Sequence, residues 1–94
     1  MINKTDIDIE NASTIFAAMG NKGRLKVLVI LESGPKTVTE LNKMIALSQS
    51  ALSQQLAILR KTRLVSTTRE GTCIRYELNA ENKNKIRRLL KTVL

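Results

Sequence analysis

Ninety-four residues are the size of one domain, and 16 Lys and Arg against 8 Asp and Glu give a formal net charge of +8 and a pI near 10.2. A chain this short buries only about 60–65% of its unfolded surface, so a partner subunit would relieve a thin core, and the charge points to a polyanion or an anionic membrane surface. There is no histidine, one cysteine (Cys73) and two aromatics, Phe16 and Tyr76, which excludes a His-centred base, a His-ligated or Cys-rich metal site and an intrachain disulfide, and leaves too few rings to stack single-stranded bases.

Apolar residues make up 43% and charged residues 26% of the chain, a globular balance. The longest apolar run, residues 27–31, is far short of a membrane span. The start, Met1-Ile2-Asn3-Lys4, has no apolar core of a signal peptide, so the expected setting is the cytoplasm with no membrane partner. Residues 1–10 hold Lys4 against Asp6, Asp8 and Glu10, whereas residues 11–94 hold fifteen bases against five acids. The basic surface therefore belongs to the body of the domain and not to a tail. The alternating acids of residues 1–10 are expected to be a frayed, solvated start.

The first helix is marked by Ala12, Ile15, Phe16 and Met19 at helical spacing, ending at Gly20. Asn21 caps a second helix to about residue 33; Leu25, Val27, Leu28, Val29, Ile30 and Leu31 leave it apolar almost all round, the mark of a central buried element. Gly34-Pro35 stops it. Thr37-Val38-Thr39-Glu40 is a capping box opening a short third helix with Leu41, Met44 and Ile45 inward. After a break at Leu47, Ser48 caps a fourth helix to about residue 62, with Leu52, Leu56 and Leu59 on its apolar side. Residues 64–69 and 73–78 are β-branched or alternating, and the Glu70-Gly71-Thr72 turn joins them as a hairpin. Asn79 is expected to cap a last helix whose apolar stripe is Ile86, Leu89, Leu90 and Val93. The expected fold is one domain over 1–94, mainly α with a small β-hairpin, in the order α-α-α-α-β-β-α: a helix-turn-helix followed by a basic wing.

The chemistry sits on the fourth helix. Gln49, Ser50, Ser53, Gln54 and Gln55 are short or amide side chains that donate and accept, as base edges in a major groove require. Ser48 and Thr37 stand at helix starts, where backbone amides and the helix dipole favour phosphate. Lys36, Lys43, Arg60, Lys61 and Arg63 flank this face as phosphate contacts, and Arg69 and Arg75 sit on the outward side of the wing beside Gly71, within reach of the minor groove or backbone. The bland alternatives are a solvated Ser/Gln-rich face and arginines that keep an edge hairpin soluble. The stripes of the first and last helices, Ala12, Ile15, Phe16 and Met19 with Ile86, Leu89, Leu90 and Val93, either fill the monomer core or form a homodimer interface. Cys73 alternates outward beside Arg75, a setting that favours a thiolate; a small strand residue without a role is the alternative. No nucleophile–base pair or phosphate loop is present, so no enzyme is expected.

These residues resemble the ArsR-type winged helix-turn-helix regulators over residues 12–94. The resemblance is carried by Gly23-Arg24-Leu25-Lys26-Val27-Leu28, by Thr37-Val38-Thr39-Glu40-Leu41, by residues 47–56 with Leu59-Arg60, and by the wing over residues 71–78. It implies a homodimer through the first and last helices, with Gln49, Ser50, Ser53, Gln54 and Gln55 facing the groove. Metal-sensing members place Cys-Val-Cys where Thr37-Val38-Thr39 stands, and others use His on the last helix, so the resemblance implies no metal and no cofactor here. The recognition segment is most similar to the non-metal, redox-responsive subgroup of virulence and biofilm regulators. That subgroup pairs a second-helix Cys, at the position similar to Val29, with one near the C-terminus, and this chain has neither. The family often has Gly where Arg63 stands, so Arg63 must tolerate a helix-ending conformation.

The expected function is that of a dimeric, sequence-specific regulator, a repressor, of double-stranded DNA at an imperfect palindrome, with its small-molecule or redox effector open. The alternatives are a protein-interaction module on the same fold and a regulator switched by oxidation of Cys73.

Overall fold

The computed structural model describes residues 3–94. The elements are α1 (Lys4–Met19), α2 (Lys22–Glu32), β1 (Lys36–Thr37), α3 (Val38–Met44), α4 (Gln49–Lys61), β2 (Val65–Glu70), β3 (Cys73–Leu78) and α5 (Lys83–Val93). The molecule is mostly helical, with an antiparallel sheet in the order β1-β3-β2. This is a winged helix-turn-helix. Among the described residues no helix is long and apolar enough to cross a membrane.

The expected frayed start is corrected over residues 4–10, which are helical. Asn3 accepts from the Asp6 amide at 2.9 Å, and the Asp6 carboxylate accepts from the Asn3 amide in return. This reciprocal cap satisfies amides that a helix start leaves unpaired. Met1 and Ile2, which the same expectation covered, lie outside the described residues.

Asn21 and Ser48 cap α2 and α4 as expected, accepting from the amides of Arg24 and Ala51 at 3.1 Å each. Thr37 and Glu40 form the capping box of α3. Asn79 does not cap the last helix. It accepts from the Glu81 amide at 2.9 Å in a turn, and α5 starts after Asn82.

A third strand was missed from the sequence. Lys36 pairs with Tyr76 and Thr37 with Arg75, so the segment after Pro35 closes the edge of the wing sheet. Two residues are too few to show alternation, and the capping box in the same segment is the louder signal.

The core is built from one face of each helix and the base of the wing. Val27, Leu28, Leu41, Leu52, Leu59, Leu64 and Ile86 have no solvent exposure, and Leu56, Val65 and Leu90 are nearly as enclosed. Helix α2 is central, as expected, but its apolar girth exceeds what its neighbours cover: Val29 is 40% exposed. Met44, expected inward, is 56% exposed while Leu41 and Ile45 are buried. The helix ends at Met44, so the last turn directs only Ile45 under the fold.

Between α4 and β2 the chain reverses on Arg63, whose φ is +61°. The Leu64 amide donates to the Leu59 carbonyl at 2.9 Å, and the Arg63 amide to the Arg60 carbonyl at 3.1 Å. This is the left-handed helix ending that glycine usually supplies. Asn82 donates from Nδ2 to the Arg63 carbonyl at 2.8 Å, tying the turn to the start of α5.

Candidate nucleic-acid interface

Helix α4 holds the polar face the sequence suggested. Leu52, Leu56 and Leu59 are buried, while Gln49, Ser50, Ser53, Gln54, Ala57, Arg60 and Lys61 are exposed. The buried leucines fix the rotation of the helix, so the opposite face looks outward along its length. Ser48 carries the cap, its Oγ occupied by the Ala51 amide. Arg60 and Lys61 lie in the last turn, where cations also complement the helix dipole.

Gln55 departs from the expected set. It is half-buried, and its Oε1 accepts from the Arg24 guanidinium at 2.9 Å. One residue's step along α4 rotates Gln55 away from the outward face of its neighbour Gln54 and towards Arg24 of α2. The group that holds it, Arg24, was not singled out from the sequence as a site residue.

The basic flank is less uniform than expected. Lys43 is exposed in the last turn of α3, and Arg63 is exposed at the end of α4. Lys36 is half-buried in β1, with its ammonium 3.4 Å from the carbonyls of Gly34 and Pro35. The Thr37 hydroxyl accepts from the Glu40 amide at 3.2 Å, and with the Thr37 amide it also serves the Glu40 carboxylate, so it is engaged within the capping box.

The two wing arginines do not share a face. Arg69 pairs with Ile74, and Arg75 with Thr68 and Thr37. Paired residues project to one side and alternate residues to the other, so Arg69 joins Thr67, Ile74 and Tyr76, while Arg75 joins Thr68, Glu70 and Cys73. Tyr76 lines an open cleft of about 490 Å³ with Ser53, Ala57, Arg60 and Lys61 of α4. Arg69 therefore lies on the side of the wing that faces α4.

Arg75 is engaged on the other side. Its Nε lies 3.1 Å from Glu70 Oε2, and a terminal nitrogen lies 3.9 Å from Glu40 Oε1. The Glu40 carboxyl is held below its ordinary value chiefly by the Thr37 amide and hydroxyl, which outweigh its desolvation, with lesser help from the Arg75 and Lys36 charges. Cys73 is exposed, but the cation expected to favour its thiolate is occupied by these two carboxylates.

The expected dimer residues divide. Met19, Ile86 and Leu90 are buried within the monomer and belong to its core. Ala12, Phe16 and Val93 are exposed, and Ile15 and Leu89 are half-buried. Phe16 and Leu89 line both of two adjoining clefts between α1 and α5, one of about 430 Å³ and one of about 220 Å³.

Residues 21–67, from the cap of α2 into β2, match the family model for the bacterial regulatory proteins of the arsR family. The chain belongs to the ArsR family. The transcriptional activator HlyU of Vibrio cholerae serotype O1 is 42% identical over 69 residues, which are 73% of this chain and 64% of that protein. The chain thus matches less than two thirds of that relative's length. The regulator YgaV of Escherichia coli K12 is 36% identical over 85 residues, 89% of this chain and 86% of that protein. The transcriptional repressor SdpR of Bacillus subtilis strain 168 is 30% identical over 67 residues, 71% of this chain and 74% of that protein. The structure of reduced HlyU from Vibrio cholerae N16961 superposes with a TM-score of 0.84 at 36% identity, covering 97% of both chains. This chain has the winged helix-turn-helix of that family, whose named members here are regulators of transcription and not enzymes.

Proposed function

We propose that this ArsR-family regulator binds an imperfectly palindromic operator as a homodimer and represses transcription from it. The observation that carries the dimer is the apolar surface of α1 and α5: Phe16 is 61% exposed and Val93 78% exposed, beside the same cleft. An exposed ring and aliphatic side chain placed together on a short chain favour a self-complementary contact between two copies.

A two-fold dimer presents two copies of α4, with half-sites about 34 Å apart along the duplex. Gln49, Ser50, Ser53 and Gln54 read bases in this arrangement. Lys43, Arg60, Lys61, Arg63 and Arg69 contact phosphates, and Ser48 and Thr37 bring their helix starts to the backbone. Lys36 and Arg75 contribute only general positive charge, because both have partners within the protein. Such work belongs to the cytoplasm, where bacterial DNA lies.

One relative is named a repressor and another an activator. Repression is the simpler action, because a dimer on a promoter excludes other proteins by occupancy alone. Selection of bound fragments from sheared genomic DNA by the purified protein tests this reading. Recovery of a two-fold related motif, with a promoter reporter that rises on deletion of the gene, is the expected result. Recovery of no common motif at low salt overturns it, and a reporter that falls on deletion reverses its sign.

A further inference from the structure

Arg24 joins three helices with one side chain. It sits in the first turn of α2, and its guanidinium reaches back across the corner to α1. Nε donates to the Ala18 carbonyl and one terminal nitrogen to the Ala17 carbonyl at 3.3 Å. The other terminal nitrogen donates to Gln55 Oε1 of α4 at 2.9 Å. Among the described residues this is the one side-chain pair that bonds α2 to α4.

Each contact answers a physical need. The last carbonyls of a helix lack partners within it, and α1 has no basic residue in its own last turn. A planar guanidinium with a fixed fork of donors meets two successive carbonyls and an amide oxygen at once, which a lysine cannot do. The Gln55 amide packs closely on the start of α2: a Cβ on Gly23 would lie 3.4 Å from Gln55 Nε2 and 3.3 Å from Asn21 Oδ1. Through the Arg24 side chain, which also donates to the Ala17 and Ala18 carbonyls, α4 is therefore linked to the C-terminal end of the helix that carries Phe16.

We infer that Arg24 is a positioning residue: through Gln55 it sets the attitude of the recognition helix relative to α1, so that the two move as one body when DNA binds. Gln55 serves this bridge and reads no base. On the proposed dimer, the same bridge fixes the separation of the two recognition helices. That last consequence alone rests on the dimer.

The test uses the full chain and a duplex bearing one half of the site recovered by the selection above. Amide exchange is followed at Gly20, whose N–H donates to the Ala17 carbonyl that Arg24 also holds. Half-site binding slows that exchange at least about threefold in the wild type, as expected when a local opening is coupled to a bound element. Gln55→Ala, which leaves the α1 contacts of Arg24 in place, abolishes the slowing, and Gln55→Glu, which keeps the acceptor, restores it. Arg24→Lys gives the same loss, and the double variant Arg24→Lys/Gln55→Ala gives no further one, as for two members of one interaction. Slowing at Gly20 that survives Gln55→Ala, or losses that add in the double variant, overturns the inference. So does a Gln55→Ala protein that loses preference at a single base position.

A second duplex, with one base pair inserted between the half-sites, separates this from the dimer. The wild type is expected to bind it about 10-fold more weakly and Gln55→Ala to tolerate it, because a loosened helix can follow the rotated half-site. A wild type indifferent to the insertion defeats the dimer, while the exchange at Gly20 still decides the role of Arg24.

Discussion

At the scale of single residues, the interface sorts its side chains by what each is free to do. The Gln54 side chain is exposed and makes no hydrogen bond among the described residues, while that of its neighbour Gln55 is committed to Arg24. Gln54→Ala is therefore expected to relax base preference by about 1–3 kcal/mol at one position, whereas Lys61→Ala weakens binding to all sequences and lowers the salt slope by about one. Titrations against operator and random duplex at several salt concentrations distinguish the two, and equal losses on both duplexes contradict these roles. Arg63 is a different case, because its backbone bears the cost. A non-glycine residue in the left-handed region loses about 1–2 kcal/mol, and glycine returns part of this as chain entropy. Arg63→Gly is expected to raise unfolding stability by about 0.5–1 kcal/mol in denaturant titration while weakening DNA binding through a lost phosphate contact. The outward face of α4 was legible in the sequence because Leu52, Leu56 and Leu59 fix its rotation. The fate of Gln55 and Arg75 was not, because their partners, Arg24 and Glu40, are 31 and 35 positions away and meet them only in the fold.

At the scale of elements, helix caps with a side-chain acceptor and a following apolar run are legible in the sequence, and elements that depend on distant partners are not. Asn21, Ser48 and the Thr37–Glu40 box all cap helices where their pattern placed them. The start of α1 was misjudged because its caps, Asn3 and Asp6, precede a stretch of Ile7, Asp8, Ile9 and Glu10 whose alternation suggests no helical face. Ile9 is 63% exposed, so that turn gains little from the core and rests on its cap. Strand β1 depends wholly on β3 and has no periodicity of its own. The capping box beside it also carries a pH dependence. The Glu40 carboxyl is held below its ordinary value in the folded chain, chiefly by the Thr37 amide and hydroxyl and then by Arg75. A carboxyl depressed on folding adds stability above its unfolded value and loses it as pH falls through the folded one. Glu40→Gln keeps an acceptor at the same place but removes the charge. The wild type is expected to melt above this variant near neutral pH, with the gap closing as pH falls below the ordinary carboxylate range. A gap that stays constant on acidification assigns the effect to shape and not to charge.

At the scale of the whole molecule, the surface carries two unlike faces that fit one task. The polar and basic face of α4 and the wing suits a duplex, and the apolar face of α1 and α5 suits a second copy. The sequence stripe on α5 could not separate core from interface, because Ile86 and Leu90 continue the same spacing as Leu89 and Val93. Burial separates them: Ile86 and Leu90 serve the monomer, and Val93, with Phe16 across the cleft, remains outside. Phe16→Glu tests the second face without touching the first. The ring is 61% exposed in the monomer, so the variant is expected to keep the wild-type helical circular dichroism. Burying a Phe side chain gains about 1.5–3 kcal/mol, and a carboxylate in its place must also be desolvated, so self-association is expected to weaken at least about 10-fold. The effect on DNA then follows from linkage between the half-sites. A dimer meets its second half-site at the effective concentration set by the first contact, and a monomer does not. Phe16→Glu should therefore bind a single half-site duplex as the wild type does, yet lose affinity for the full palindrome. Sedimentation equilibrium and the two duplex titrations decide it together. A variant that still sediments as a dimer places the interface elsewhere, and one that loses the half-site duplex as well shows that the two faces are not independent.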